Sequence, residues 1–287
     1  MSTVATTGLR ARSGRVVRGM GPAGRMAAIL LGFVLLIAIF APVIAPQDPE
    51  AIDVSRILAG PELSHPFGWD SQGRDVLSRL LYAYRTSLAV AVGSVLFALV
   101  IGGAAGLFAG YFKGWADSTT MRIVDLMLAF PALLLAIMLI AILGPGSLVV
   151  VLAIGAIYIP IFARVSRSSV LSVSTALYVD AARCRGASDF RIIRQHVIPN
   201  AIGPSIVQAS ILAGVAIQIE AALSFLGLGV QPPNPSLGVM LADGRDFLQQ
   251  APGLVIFPGL AIALTVVGFL LLGDALRAKL DPRGELE

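Results

Sequence analysis

Charge is scarce in this chain. Only 13% of its 287 residues are Asp, Glu, Lys or Arg, against 56% that are hydrophobic. A soluble domain carries about 25% charged residues, so this chain lacks the polar side chains to cover a water-facing globule. Cysteine is rarer still: Cys184 stands alone, which excludes an intrachain disulfide framework. Histidine occurs only at His65 and His196, and lysine only at Lys113 and Lys279. Side chains for metal ligation and acid–base work are therefore few. Neither lysine lies in a G-x4-G-K-[ST] phosphate loop, so the chain does not read as an ATPase. The net charge of +4 is small and the apolar content high, which excludes a disordered chain.

What is present is a series of long uncharged runs. A helix crossing the hydrocarbon core needs about 20 such residues. Met26–Gln47 and Thr86–Phe112 each supply one span. Leu126–Ala163 is uncharged for 38 residues, too long for one crossing, and Leu143-Gly144-Pro145-Gly146 divides it into spans near 124–143 and 147–164. Val197–Ile219, starting after Gly203-Pro204, gives a fifth span, and Phe247–Gly273 a sixth. The fold class is all-α and polytopic, with about six transmembrane helices. The runs lack the polar alternation of β-barrel strands. The first run has a basic leader like a signal peptide, but its length, with Pro42 and Pro46, favours an uncleaved span.

Lysine and arginine set the orientation. Sixteen fall on one side: ahead of span one, between spans two and three, between four and five, and after six. Five fall on the other: Arg56, Arg74, Arg79, Arg85 and Arg245. Both termini are then cytoplasmic, and the basic balance reflects membrane orientation more than nucleic-acid binding.

Three features between and within the spans carry alternatives. Val76, Leu77, Leu80, Leu81 and Tyr84 share one helical face, with Arg74, Asp75, Ser78 and Arg79 away from it. This amphipathic helix would rest in the membrane interface or contact an outer partner. Gly102, Gly106 and Gly110 line one face of span two, for close packing within the bundle or against a second subunit. The segment 225–252 is a long outer loop whose Leu226, Leu228, Val230, Leu237, Val239 and Met240 argue against free solvation.

The loop between spans four and five reads as two short helices. Gly186 ends the first, as a left-handed C′ residue. Ser188 is the N-cap of the second and Asp189 lies in its first turn. Phe190, Ile193 and Val197 share a face, Arg191 and Arg194 point elsewhere, and Pro199 stops the helix. Such a helix beds on the membrane or docks into a partner's groove.

Asp180-Ala181-Ala182, Gly186, Ile198 and Pro199 fit E-A-A-x3-G-x9-I-x-L-P, with Asp180 for Glu, His196 for Ile and Ile198 for Leu. This resembles the cytoplasmic loop of bacterial ABC importer permeases. Glu220-Ala221-Ala222 is a decoy, with Leu226 in place of the glycine and an outer location. His65-Pro66-Phe67-Gly68-Trp69-Asp70, Gly73–Arg79, Ser224–Pro233 and Gly273–Arg283 are similar to segments of the C-type dipeptide, oligopeptide and nickel permeases. Leu237 departs from the Trp common there.

The resemblance implies an ABC importer type I permease-like fold and a role as half of an alternating-access pathway. The implied partners are a homologous second permease, cytoplasmic ATP-binding subunits and an extracytoplasmic peptide-binding protein, in a bacterial plasma membrane. ATP and Mg would bind those subunits, with no cofactor on this chain. The implied ATPase-coupling interface is Asp180, Ala181, Ala182, Gly186, Ser188, Asp189, Phe190, Arg191, Arg194, Ile198 and Pro199. Arg191 and Arg194 would pair with an acidic ATPase rim or serve as positive-inside charges. The chain divides into a basic segment (1–25), a first span (26–46), an extracytoplasmic segment (47–86), a five-span core (87–275) with its coupling loop at 165–203, and a tail (276–287).

The main rival is an ion-coupled secondary carrier, which needs an ionisable group inside the membrane. Asp125, Glu220 and Asp274 are available, all near span ends. A permease for nickel or another small solute is a second alternative. A channel lacks a filter motif, and a peptidase is disfavoured because His65 and His196 lie on opposite sides. Cys184 reads as a structural loop thiol.

Overall fold

The computed structural model describes residues 21–280. Arg10, Arg12, Arg15, Arg18 and Arg283, on which part of the orientation rests, lie outside the described residues, with most of 1–25 and the end of 276–287. The long helices are α1 (Pro22–Ile44), α2 (Val76–Phe112), α5 (Ser147–Ser174), α8 (Ile198–Phe225) and α10 (Gly253–Leu280). Shorter ones are α3 (Gly114–Leu128), α4 (Ala132–Leu143), α6 (Leu177–Cys184), α7 (Asp189–Ile192) and α9 (Leu237–Gly244). A π-helical turn, Ile193–Val197, joins α7 to α8. Among the described residues β structure is confined to two isolated bridges, Glu62–His65 and Trp69–Asp75.

Helices α1, α2, α5, joined α7–α8 and α10 are long and apolar enough to cross a membrane. The helices α3 and α4 qualify only as a pair bent by 88°, so the third span expected near 124–143 is interrupted by a sharp bend and starts within α3. The break sits at Ala129–Pro131, with Pro131 as the N-cap of α4. Proline has no N–H and disfavours helix in the residue before it. A count of charges passes over this break because proline is uncharged. Pro204 lies inside α8, so the fifth span begins ahead of Gly203-Pro204.

The second span differs more. Helix α2 has 37 residues and is about 55 Å long, well beyond the ~30 Å hydrocarbon core. The expected amphipathic helix is its opening, continuous with the span. Its polar residues do not face lipid headgroups or water: Asp75 and Ser78 are fully buried, and Arg79 is 2% exposed. The Asp75 carboxylate caps the helix, accepting from Ser78 N–H at 2.7 Å, and lies 3.0 Å from His65 Nδ1. Arg74 Nε donates to Asp70 at 2.7 Å, and Arg79 Nε lies 3.4 Å from the same oxygen. Asp243 of α9 lies 3.4 Å from Arg74 and 3.6 Å from Arg79. Burial pushes the Asp243 carboxyl above its ordinary value, and the two guanidiniums pull it back. Buried charges persist only when matched. Two arginines and two aspartates match here, pinning the 61–75 segment and α9 to the start of α2.

A second polar knot lies further along α2. Glu220, fully buried on α8, accepts from Ser87 Oγ at 2.8 Å and Ser224 Oγ at 2.7 Å. Each hydroxyl in turn accepts a backbone N–H of the following segment, from Leu237 to Ser87 and from Val230 to Ser224, both at 3.2 Å. The segment 226–236 and the first residue of α9 are thus tied to two helices through one carboxylate. Val230 of the segment, and Leu237 just after it at the start of α9, are buried in the main core, the physical reason the segment is not freely solvated.

Helix α2 packs lengthwise on α5, and the glycine stripe makes this possible. A Cβ at Gly102 would sit 2.3 Å from the Ile159 carbonyl oxygen, and one at Gly106 2.2 Å from that of Ala163. At Gly110 it would sit 2.9 Å from the Arg167 carbonyl oxygen. The stripe is used inside this chain and is covered by α5. Tyr158, Phe162, Ile154 and Ile217 are fully buried side chains of the adjoining core.

Two outcomes follow for the purified chain in detergent. Gly106→Val lowers stability by about 1–3 kcal/mol, or abolishes folding, because the carbonyl cannot retreat. Gly103→Ala, whose Cβ would meet only Leu99 Cδ1 at 3.8 Å, leaves it unchanged. Equal melting curves for both would contradict the close approach. Glu220→Ala raises protease cleavage within 226–236 about tenfold by removing both acceptors. Unchanged cleavage would mean that the segment is held otherwise.

Candidate functional site

The DAA-containing loop lies at the end of the bundle where α2 and α5 finish and α8 begins. Helix α6 ends in a left-handed glycine, Gly186, with φ +77°. Gly186 N–H donates to Arg183 C=O at 2.9 Å and Ala187 N–H to Ala182 C=O at 3.1 Å. This pair is the Schellman arrangement. A Cβ at Gly186 would meet nothing within 4 Å, so the demand for glycine is conformational.

The next helix differs from the expected one in three ways. Ser188 occupies the N-cap position, but its side chain makes no capping hydrogen bond. Pro199 does not stop the helix. The π turn ends with Ile198 N–H bonded to Ile193 C=O, and α8 continues through Pro199 near its N-terminus. The wider turn gives room to the proline ring, and Asn200 Nδ2 donates to His196 C=O at 2.6 Å. The inward face also changes: Ile192 and Val197 are fully buried, five apart as a π turn permits, and Phe190 points out at 73% exposure.

Of the expected interface residues, Asp180, Ala181, Ser188, Arg191, Arg194 and Pro199 are exposed, and Ile198 is 40% exposed. Leu177 joins this surface at 87% exposure and Tyr178 at 45%. Ala182 is buried. Asp180 lies 3.4 Å from Arg183. Asp189 is turned toward the bundle, where its carboxylate accepts from the Tyr111 hydroxyl at 2.6 Å. The surface is therefore an apolar set, Leu177, Tyr178 and Phe190, fringed by arginines. Below it Tyr111, Val170, Val179, Ala182, Ile192, Val197 and Ala201 form a small core separate from the main one.

Tyr111 was not visible as a site residue in the sequence. It reads as one more aromatic at a span end, and its partner is 78 positions away.

Two of the three acidic residues available to an ion-coupled carrier, Asp125 and Glu220, are otherwise engaged. Asp125 accepts from Arg164 at 2.6 Å on an exposed face, beside the Asp117–Arg167 ion pair that also joins α3 to α5. Glu220 belongs to the hydroxyl knot described above. Asp274 is exposed near the end of α10. Among the described residues no group of three His, Cys, Asp or Glu could hold a metal ion. Cys184 is a free, exposed thiol.

Known proteins are similar to this chain in sequence and in fold. Residues 102–285 match the family described as the binding-protein-dependent transport system inner membrane component. Residues 22–61 match the N-terminal TM domain of oligopeptide transport permease C. The chain is 46% identical over 255 residues to the dipeptide transport system permease protein DppC of Alkalihalophilus pseudofirmus, covering 89% of this chain and 84% of that one. It is also 46% identical over 255 residues to the glutathione transport system permease protein GsiD of Pectobacterium atrosepticum, covering 88% and 85%. In fold it is similar to a chain of the inward-facing MetNI methionine ABC transporter, with TM-score 0.57 and 19% identity over 71% of this chain and 96% of that one. An amino acid ABC transporter chain gives TM-score 0.56 and 14% identity, over 71% and 94%. The chain belongs to the family of binding-protein-dependent transport system inner membrane components, with the N-terminal membrane domain of the oligopeptide permease C type.

Proposed function

We propose that this chain is a permease subunit of an ATP-driven importer of short peptides. It forms half of an alternating-access pathway with a homologous second permease. Two cytoplasmic ATP-binding subunits carry the ATP, Mg and hydrolysis, and an extracytoplasmic binding protein delivers the peptide. The loop face is cytoplasmic, and both termini lie on that side of a bacterial plasma membrane. Peptide as the substrate class is supported by the dipeptide and glutathione permeases, each 46% identical over almost the whole chain.

The observation that carries the coupling role is the surface of the 175–199 loop. Leu177 and Phe190 are among its most exposed residues, although a small core of their neighbours lies directly beneath. Apolar side chains held out of a well-packed support, beside the exposed Arg191 and Arg194, suit a partner's groove. Asp180, Ala181, Gly186, Ser188, Ile198 and Pro199 shape that surface. Ala182 packs beneath it, and Asp189, exposed like them, turns its carboxylate to Tyr111. Import through an ATP-driven pair also agrees with the engaged state of Asp125 and Glu220.

Purification from native membranes in mild detergent tests this reading. The expected result is a stoichiometric complex holding an ATP-binding subunit and a second polytopic chain. Phe190→Ala is expected to lose about tenfold or more in affinity for the ATP-binding subunit, as removal of a central aromatic anchor does, while the chain stays inserted and folded. Recovery of this chain alone, or as a homo-oligomer, would favour the secondary carrier.

A further inference from the structure

Besides the packing of Ile192 in the small core, helix α7 has two connections of interest to the membrane bundle. One is covalent, through the π turn into α8. Backbone hydrogen bonds in a π turn are less favourable than in an α-helix, and such turns often mark hinges. The other is the Tyr111–Asp189 hydrogen bond, 2.6 Å long, from the last turn of α2 to the first residue of α7. Tyr111 is 7% exposed and lies in the small core contributed by α2, α5, α6, α7, the π turn and α8. The Arg183 guanidinium lies over its ring, 5.6 Å from the centroid, and reaches Asp180 at 3.4 Å. One tyrosine thus joins the Asp180-Ala181-Ala182 helix, the exposed Phe190 helix and the longest rod of the fold.

We propose that Tyr111 is a positioning residue that makes α2 move with the α7 helix. The proposal rests on the importer reading above and specifies how a pull on α7 enters the bundle. Movement passed through the π turn alone reaches α8. Movement passed through Tyr111 reaches α2, then α5 through the glycine contacts at Gly102, Gly106 and Gly110. It continues along α2 to the opposite end, where Arg79 faces Asp243 of α9 and Ser87 holds Glu220 and Leu237 N–H. The acidic residue at 180 has a role in the same device: it holds Arg183 over the tyrosine ring.

The test uses the whole importer, reconstituted in proteoliposomes, with transport and ATP hydrolysis measured together. Tyr111→Phe keeps the ring, its packing and the Arg183 contact and removes only the hydroxyl. The complex is expected to assemble and hydrolyse ATP, but peptide transported per ATP falls about tenfold, the scale of a hydrogen bond to a charged group. Asp189→Ala, altered at an exposed position, gives the same loss. Asp189→Asn, which still presents an acceptor oxygen, retains most of the coupling. The Tyr111→Phe/Asp189→Ala double variant is no worse than either single one, because both remove one interaction.

Normal transport per ATP in Tyr111→Phe would overturn the proposal, as would additive losses in the double variant. A purely structural role for Tyr111 would lower assembly and leave the ratio unchanged, which also overturns it. If the unaltered chain carries no ATP-binding subunit, the importer reading itself fails and this inference with it. A coupled wild-type complex with an unaffected Tyr111→Phe variant removes this inference alone.

Discussion

The close contact between α2 and α5 is the constraint on which the rest of the molecule depends. In lipid, helices gain little from burying apolar side chains against one another, so dispersion contacts and backbone approach decide which pairs form. Gly102, Gly106 and Gly110 bring the α2 backbone against the carbonyl oxygens of Ile159, Ala163 and Arg167. That contact makes two helices into one stiff pair. The pair then carries a polar fastening at each end. At one end Arg74, Arg79, Ser87 and their partners hold the 61–75 segment, α9 and the 226–236 segment. At the other, Tyr111 and the small core hold the loop with the exposed Phe190.

Two kinds of buried polar group serve this frame. The arginine–aspartate cluster balances its own charge, so it can be buried without leaving an ion unmatched. The Glu220 knot uses hydroxyls that donate to the carboxylate and accept from backbone, which meets the needs of the 226–236 segment without a second charge. Both sit where irregular backbone meets helix ends, and irregular backbone in a membrane protein needs such partners.

Much of this was legible in the sequence, for identifiable reasons. Charge-free runs report membrane spans directly, because each charge buried in lipid costs several kcal/mol. The glycine period of four reported a close helix contact, and Gly186 reported a left-handed turn. Other features were hidden. Pro131 breaks a span without interrupting its apolar character. Arg74 and Arg79 look like solvent-facing charges until Asp243, far along the chain, is seen beside them. The π turn shifts the buried face from Phe190 to Ile192, a change that a 3.6-residue period cannot reveal. Tyr111 is found only through its contact with Asp189.

The central claim is that the 175–199 loop docks an ATP-binding subunit on the cytoplasmic side. The chain's one cysteine permits a direct measurement. Cys184→Ser provides a cysteine-free background, and Phe190→Cys places a single thiol at the proposed contact. In native membranes a short thiol-reactive crosslinker should join position 190 to an ATP-binding subunit, with the yield changing when a non-hydrolysable nucleotide is added. Labelling of that thiol in right-side-out vesicles by an impermeant maleimide added outside, with no such crosslink, would contradict the account.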